Sequence, residues 1–109
     1  MRIMRWSAAL LPAVLFVGIG VAQDAKGDAA AGKAVFDTRC SLCHLADSTD
    51  KKIGPGLQGV KNGKLPSGKD ATHDNLMENL NKGGGGMPAF EKLLSAEEKE
   101  NVVAYVLTL

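Results

Sequence analysis

Five consecutive residues constrain this chain more than anything else in it: Cys40-Ser41-Leu42-Cys43-His44. They hold both of the chain's cysteines and one of its two histidines. Two thiols in this spacing, with an imidazole directly after the second, form the C-x-x-C-H attachment signature for c-type haem. The spacing has a physical reason. Thiols so placed at a helix end can reach the two vinyl groups of one porphyrin and hold it through thioether bonds. His44 is then carried beneath the iron, with Nε2 toward the metal and Nδ1–H left to donate to an acceptor behind it.

Three other readings compete for the same residues. In an oxidising compartment Cys40 and Cys43 can close a disulfide. A C-x-x-C pair can be a thioredoxin-like redox couple, but that requires a βαβ context, and no such pattern occurs. A zinc site needs four ligands, which would consume both Cys and both His, with His73 as a remote last ligand. Composition favours haem. Past residue 22 the only aromatics are Phe36, Phe90 and Tyr105. A domain of under roughly 90 residues with so few large side chains is poorly placed to build a core unaided, and a large cofactor would complete it.

The second axial position of such a haem has three candidates, Met77, Met87 and His73. Met87 follows the run Gly83–Gly86 and precedes Pro88. The glycines read as a flexible linker that lets backbone pass close to a flat ring, and the proline stiffens the exit. Met77 lies on an apolar helical stripe, where core filling is the common role. His73 stands among Thr72, Asp74 and Asn75 and reads as a solvated surface residue. Met87 is the favoured ligand.

The N-terminus reads as an export signal. Met1–Trp6 carries Arg2 and Arg5 and no acid, and Ser7–Ala22 is almost wholly apolar, ending in Gly20-Val21-Ala22. A positive start, a short apolar stretch and a small-x-small site make a secretory signal peptide, cleaved after residue 22 to leave 23–109. The apolar run of about 16 residues falls short of the roughly 20 that cross a bilayer, and Pro12 interrupts it. The periplasm is the expected location, and an uncleaved leader would instead anchor the protein to the membrane. The whole chain carries 13 Lys and Arg against 12 Asp and Glu, a net charge of +1. That balance excludes a strongly basic nucleic-acid binder and an acidic disordered chain.

The remainder predicts an all-α domain of three or four helices with much loop. Asp28 caps a helix over about 29–39. Thr72 caps a second over about 73–82, stopped by Gly83. Ser95-Ala96-Glu97-Glu98 fits a capping box and opens the last helix, with Val102, Val103, Tyr105 and Val106 on a broad apolar face. Between the first two lies a long irregular stretch, about 45–71, with a short helical turn expected near Leu57–Val60. Such a loop is uncommon in a compact domain unless it is functional or wraps something.

Taken in order, these motifs resemble the small class I monohaem c-type cytochromes over about residues 27–108. Gly32 and Phe36 match the family's Gly-x-x-x-aromatic helix, followed by Cys40–His44. Gly54-Pro55-Gly56-Leu57 is similar to its Gly-Pro-x-Leu turn, and Met87-Pro88-Ala89-Phe90 to its axial-methionine loop. Leu94–Glu98 with Val103–Val106 is similar to its closing helix. The resemblance implies the cytochrome c fold, wrapped around one covalent haem c with its iron. It implies thioethers at Cys40 and Cys43, and His44 and Met87 as axial ligands. It also implies a Pro55 carbonyl accepting from His44 Nδ1–H, and close crossing of the first and last helices at Gly32, with Phe36 against Tyr105. Phe36, Leu57, Leu65 and Phe90 are the expected pocket residues. Many relatives place a Trp or Arg near the haem propionates. Here Trp6 lies in the leader and Arg39 is the only arginine past it, so Lys61, Asn62 and Lys64 become candidates for holding the propionates.

The expected function is one-electron transfer by a monomeric carrier, not an enzyme. Its partners would be redox proteins such as a dehydrogenase, a cytochrome complex or a terminal oxidase, met in transient complexes. Nucleic acid is not among them. Lys51, Lys52, Lys61, Lys64 and Lys69 offer a candidate docking face for an acidic partner. The alternatives are a haem peroxidase-like enzyme or gas sensor, which needs an open iron position, and a membrane-tethered cytochrome subunit of a respiratory complex.

Overall fold

The computed structural model describes residues 27–109. The expected signal peptide, 1–22, and the first residues of the expected mature domain lie outside them.

Three α-helices carry the described chain: α1 (Ala29–Arg39), α2 (His73–Lys82) and α3 (Ala96–Val106). Each begins where local chemistry says it should. Asp28 accepts from the backbone N–H groups of Ala30 and Ala31, and Thr72 accepts from Asn75 N–H. Ser95 and Glu98 form the reciprocal capping box at the start of α3. Such caps satisfy donors that a helix cannot satisfy internally. A single 3-10 turn, Val60–Asn62, interrupts the central loop, a few residues beyond the expected Leu57–Val60. Among the described residues the only extended pairings are two isolated bridges, Lys64 with Asp70 and Gly84 with Met87.

The fold rests on the packing of α1 against α3. Gly32 makes it possible: a Cβ there would stand 1.8 Å from the carbonyl oxygen of Asn101. Bare backbone therefore meets bare backbone. Asn101, itself buried, turns its side-chain Oδ1 to accept from Asp28 N–H at 2.8 Å, which ties the start of α1 to the middle of α3. One turn along, Phe36 and Tyr105 meet edge to face, with ring centroids 5.4 Å apart and planes at 61°. Phe36, Leu80, Phe90, Leu94, Val102 and Val103 make the buried cluster that joins all three helices. The core is thin, as the scarcity of aromatics foretells, and Cys40 of the attachment segment packs against its edge. Among the described residues no helix is long and apolar enough to cross a membrane.

Candidate functional site

Cys40 closes α1, and its N–H still donates to Phe36 O at 2.9 Å. The chain then coils once more: Cys43 N–H and His44 N–H both donate to Cys40 O, at 3.1 and 2.9 Å. The pentapeptide is thus a short turn fixed to the end of a helix whose other end is locked to α3. Both cysteines are free thiols, each half-buried, so the disulfide alternative is not realised. Burial pushes the Cys40 thiol up to about 11, with a smaller contribution from neighbouring Cys43. Among the described residues no three His, Cys, Asp or Glu side chains gather as a metal cluster.

His44 is oriented by the loop that follows it. Its Nδ1 lies 2.8 Å from Pro55 O, and with the proton on Nδ1 the ring donates to that carbonyl. Nε2 is then the nitrogen left to bind a metal. Next door, Gly54 N–H donates to Cys43 O at 2.7 Å. A Cβ on Gly54 would stand 2.6 Å from His44 Cε1, so the imidazole occupies space that only glycine leaves open. Pro55 and Gly54 together act as a socket for the ring.

Met87 is delivered by a turn rather than a slack linker. Gly84 and Met87 exchange two backbone hydrogen bonds, at 2.9 and 3.1 Å, around Gly85-Gly86. All of Gly83–Gly86 have positive φ, from 62° to 121°, a region that side chains other than glycine rarely adopt. The expectation of a flexible linker is thereby corrected: four glycines are required because the turn is left-handed throughout. Met87 is half-buried and packs on the core cluster with Cys40, Leu57 and Met77. Its sulfur lies 3.7 Å from Nδ2 of Asn79, a contact the sequence reading missed. A signal was available. Asn is a poor residue for a helix interior, yet two occur on one face of α2, Asn75 and Asn79.

The other expected site residues separate into groups. Phe36 and Phe90 are buried in the core cluster, and Leu57 packs against it. Leu65 is buried but stands apart from that cluster, beside a polar cleft of about 110 Å³ that also touches Asn79, Lys69 and Gly83. A larger cleft of about 390 Å³ opens beside His44, between Phe36, Asp37, Leu45 and Tyr105. His73 is half-exposed, and the surface reading missed its partners. Its Nε2 lies 2.7 Å from Glu100 and its Nδ1 2.8 Å from Asp74, so both ring nitrogens face carboxylates and neither is left for a metal. The Glu100 contact, then Asp74, raises its pKa above the ordinary histidine value. The lysine face is also smaller than expected. Lys64 pairs with Asp70, Lys69 pairs with Glu78 at 3.4 Å, and Lys52 donates to Ser41 O at 2.9 Å.

The donor set fits a covalently held haem: two free thiols, an imidazole with one nitrogen committed and one spare, and a thioether presented by a hydrogen-bonded turn. A small helical domain built in this way defines a haem-binding electron-transfer module. Comparison with known proteins names it further. Residues 27–106 match the family described as cytochrome c oxidase, cbb3-type, subunit III. Cytochrome c6 of Rippkaea orientalis is 41% identical over 81 residues, which cover 74% of this chain and 70% of that one. Cytochrome c-554(547) of Halothiobacillus neapolitanus is 30% identical over 89 residues, covering 76% of this chain and 98% of that one. The crystal structure of cytochrome c6 from the diatom Phaeodactylum tricornutum superposes with a TM-score of 0.57 at 32% identity, over 75% of this chain and 93% of the other. The chain belongs to the c-type cytochromes. It is a small monohaem electron carrier of all-α cytochrome c fold, with one covalently bound haem c and its iron.

Proposed function

We propose that this chain is an exported one-electron carrier, not an enzyme. Cys40 and Cys43 anchor the haem through thioethers, and His44 and Met87 are its axial ligands. Haem c, when bound, supplies an iron that alternates between Fe(II) and Fe(III). The protein does the rest. Pro55 O and the space beside Gly54 hold the His44 ring in one orientation. The Gly83–Gly86 turn holds Met87 at the margin of the apolar core. Keeping both ligands in both oxidation states minimises rearrangement during transfer, and a methionine sulfur favours the reduced iron. Phe36, Leu57, Leu65 and Phe90 exclude water from the ring.

The partners are redox proteins docking transiently, such as a dehydrogenase, a cytochrome complex or a terminal oxidase. The carrier works as a monomer in the periplasm after removal of residues 1–22. The single observation that carries the ligand assignment is the His44 Nδ1–Pro55 contact, which commits one ring nitrogen and leaves the other for iron.

Visible spectra of the exported protein, oxidised and reduced, with a pyridine haemochrome assay, test the proposal. Covalent haem, a low-spin spectrum and the weak far-red methionine–iron band are expected, and Met87→Ala should abolish that band. A high-spin spectrum that responds at once to carbon monoxide would overturn the carrier assignment in favour of a ligand-binding haem protein. The family described as an oxidase subunit favours a second reading, a tethered subunit of a membrane complex. The mass of the mature protein separates the two, since a tethered subunit would retain the leader.

A further inference from the structure

The chain between Leu80 and Phe90 is a loop with a closed neck. Phe90 N–H donates to Leu80 O at 2.9 Å, and both residues are buried. Inside the loop Gly84 and Met87 bond to each other. No backbone hydrogen bond joins residues 84–89 to any other part of the described chain. A second tie lies just outside the first. Lys99 of α3 donates from Nζ to Asn81 Oδ1 at 3.0 Å and to Glu91 O at 3.2 Å. Asn81 follows Leu80 and Glu91 follows Phe90, so one ammonium spans both sides of the neck. Other lysines are used differently: Lys33, Lys64, Lys69 and Lys82 pair with carboxylates. The acids beside Lys99 are committed elsewhere, Glu98 to the Ser95 capping box and Glu100 to His73. Lys99 is half-buried, and hydrogen bonds from a charged donor are stronger than those from a neutral one.

We infer that Lys99 is a positioning residue: by spanning the neck it keeps Met87 in place and denies the sixth position to outside ligands. This rests on Met87 being an axial ligand. For an outside ligand to enter, the Met87 sulfur must leave, and the glycine turn that carries it must swing away from the core. That motion is a local opening, not global unfolding. The neck is where it hinges, and the two sides part only when Lys99 releases one of them. An entering ligand binds the open form alone, so its apparent affinity scales with the open fraction. Lys99 thereby holds the chain to electron transfer and away from ligand-binding chemistry.

The test titrates imidazole into the ferric, haem-loaded protein and follows loss of the far-red band. Lys99→Met removes the ammonium and keeps the apolar stem. Asn81→Ala removes one acceptor. Methionine and alanine both favour helix, so neither change threatens α3 or α2. Imidazole affinity should rise about tenfold in Lys99→Met and about threefold in Asn81→Ala, in line with losing charge-assisted bonds. Lys99→Arg keeps a charged donor and should stay near the unsubstituted value. Ser95→Ala weakens α3 without touching the neck, and it too should leave imidazole affinity unchanged. Amide exchange at Phe90 should quicken in Lys99→Met by the same factor as the affinity rises. Unchanged imidazole affinity in Lys99→Met would overturn the inference. So would an equal rise in Ser95→Ala, because lost stability of α3, not the neck, would then be the cause. In both cases an intact far-red band leaves Met87 as ligand and removes only the role of Lys99. Absence of that band from the unsubstituted protein would instead remove Met87 as a ligand, and the inference with it.

Discussion

Gly32→Ala is the smallest change that attacks the packing of α1 on α3. The new methyl carbon would stand 1.8 Å from Asn101 O, 2.4 Å from Asn101 C and 2.9 Å from Tyr105 Cβ. Ordinary contact begins near 3.4 Å, so the helices must separate by about 1.6 Å along that line. The obstructing atoms are mostly backbone and cannot rotate away. Three losses follow. Overpacking of this kind costs about 1–3 kcal/mol. The Phe36–Tyr105 edge-to-face pair contributes about 0.5–1.5 kcal/mol beyond its burial. The Asp28 N–H to Asn101 bond contributes about 0.5–1.5 kcal/mol. Against these, alanine is better than glycine in a helix interior by about 1 kcal/mol. Central values leave the variant about 3 kcal/mol less stable, a large share of the roughly 5–15 kcal/mol that holds a domain together. Guanidinium titration of the haem-loaded protein, followed by far-UV circular dichroism, reads this directly. With a slope near 3 kcal/mol per molar, the midpoint should fall by about 1 M. A midpoint equal to or above that of the unsubstituted protein would refute the claim that bare backbone contact at Gly32 sets this packing.

Three further outcomes are expected. Gly54→Ala should displace the His44 ring, seen as shifted His44 ring-proton resonances in the reduced protein and a thermal midpoint lower by several degrees, at about 4–8 °C per kcal/mol for a domain of this size. His73 has a raised pKa in the folded state, so its contribution is complete below the ordinary value of 6.5 and is lost as pH rises through the higher folded value. Denaturation midpoints should therefore decline from slightly acidic to alkaline pH, and His73→Gln should flatten that decline. Ser95→Ala removes the capping box and should cost about 1 kcal/mol. The Ser95 backbone and hydroxyl hold Glu98 below the usual carboxylate range, so in the unsubstituted protein this support is present above about 4.5 and fades in acid.

What could be read from the sequence was local, and what could not was contact at a distance. Asp28, Thr72 and Ser95 each announce a helix start within three residues, and the three helices begin where those caps stand. The C-x-x-C-H segment was equally plain, because its chemistry depends on spacing alone. The 3-10 turn was placed too early because it is positioned from outside: Gly59 N–H donates to Leu109 O at 2.7 Å, at the far end of the chain. The carboxylate partner of His73 was missed because Glu100 lies 27 positions away. The glycine run was read as slack because composition reports freedom, whereas four successive positive φ values report a particular path. The Asn79–Met87 contact crosses the turn between helix and loop, and no periodic pattern marks it.

The Asp28–Asn101 contact closes a loop of 73 residues, nearly the whole described chain. Helical proteins usually fold quickly because their contacts are close in sequence, whereas distant contacts require loop closure first. Ribosomes and export channels deliver a chain from its N-terminus, so α1 emerges long before the α3 surface that completes it. Until the last few residues arrive, Gly32 and Phe36 have nothing to pack against, and the cysteine turn hanging from α1 stays accessible. Under the proposed attachment at Cys40 and Cys43, the interval between the two arrivals would be a time window for thioether formation. Extending it, by slowing delivery of residues 96–106, should raise the yield of attached haem, while shortening it should trap the empty chain.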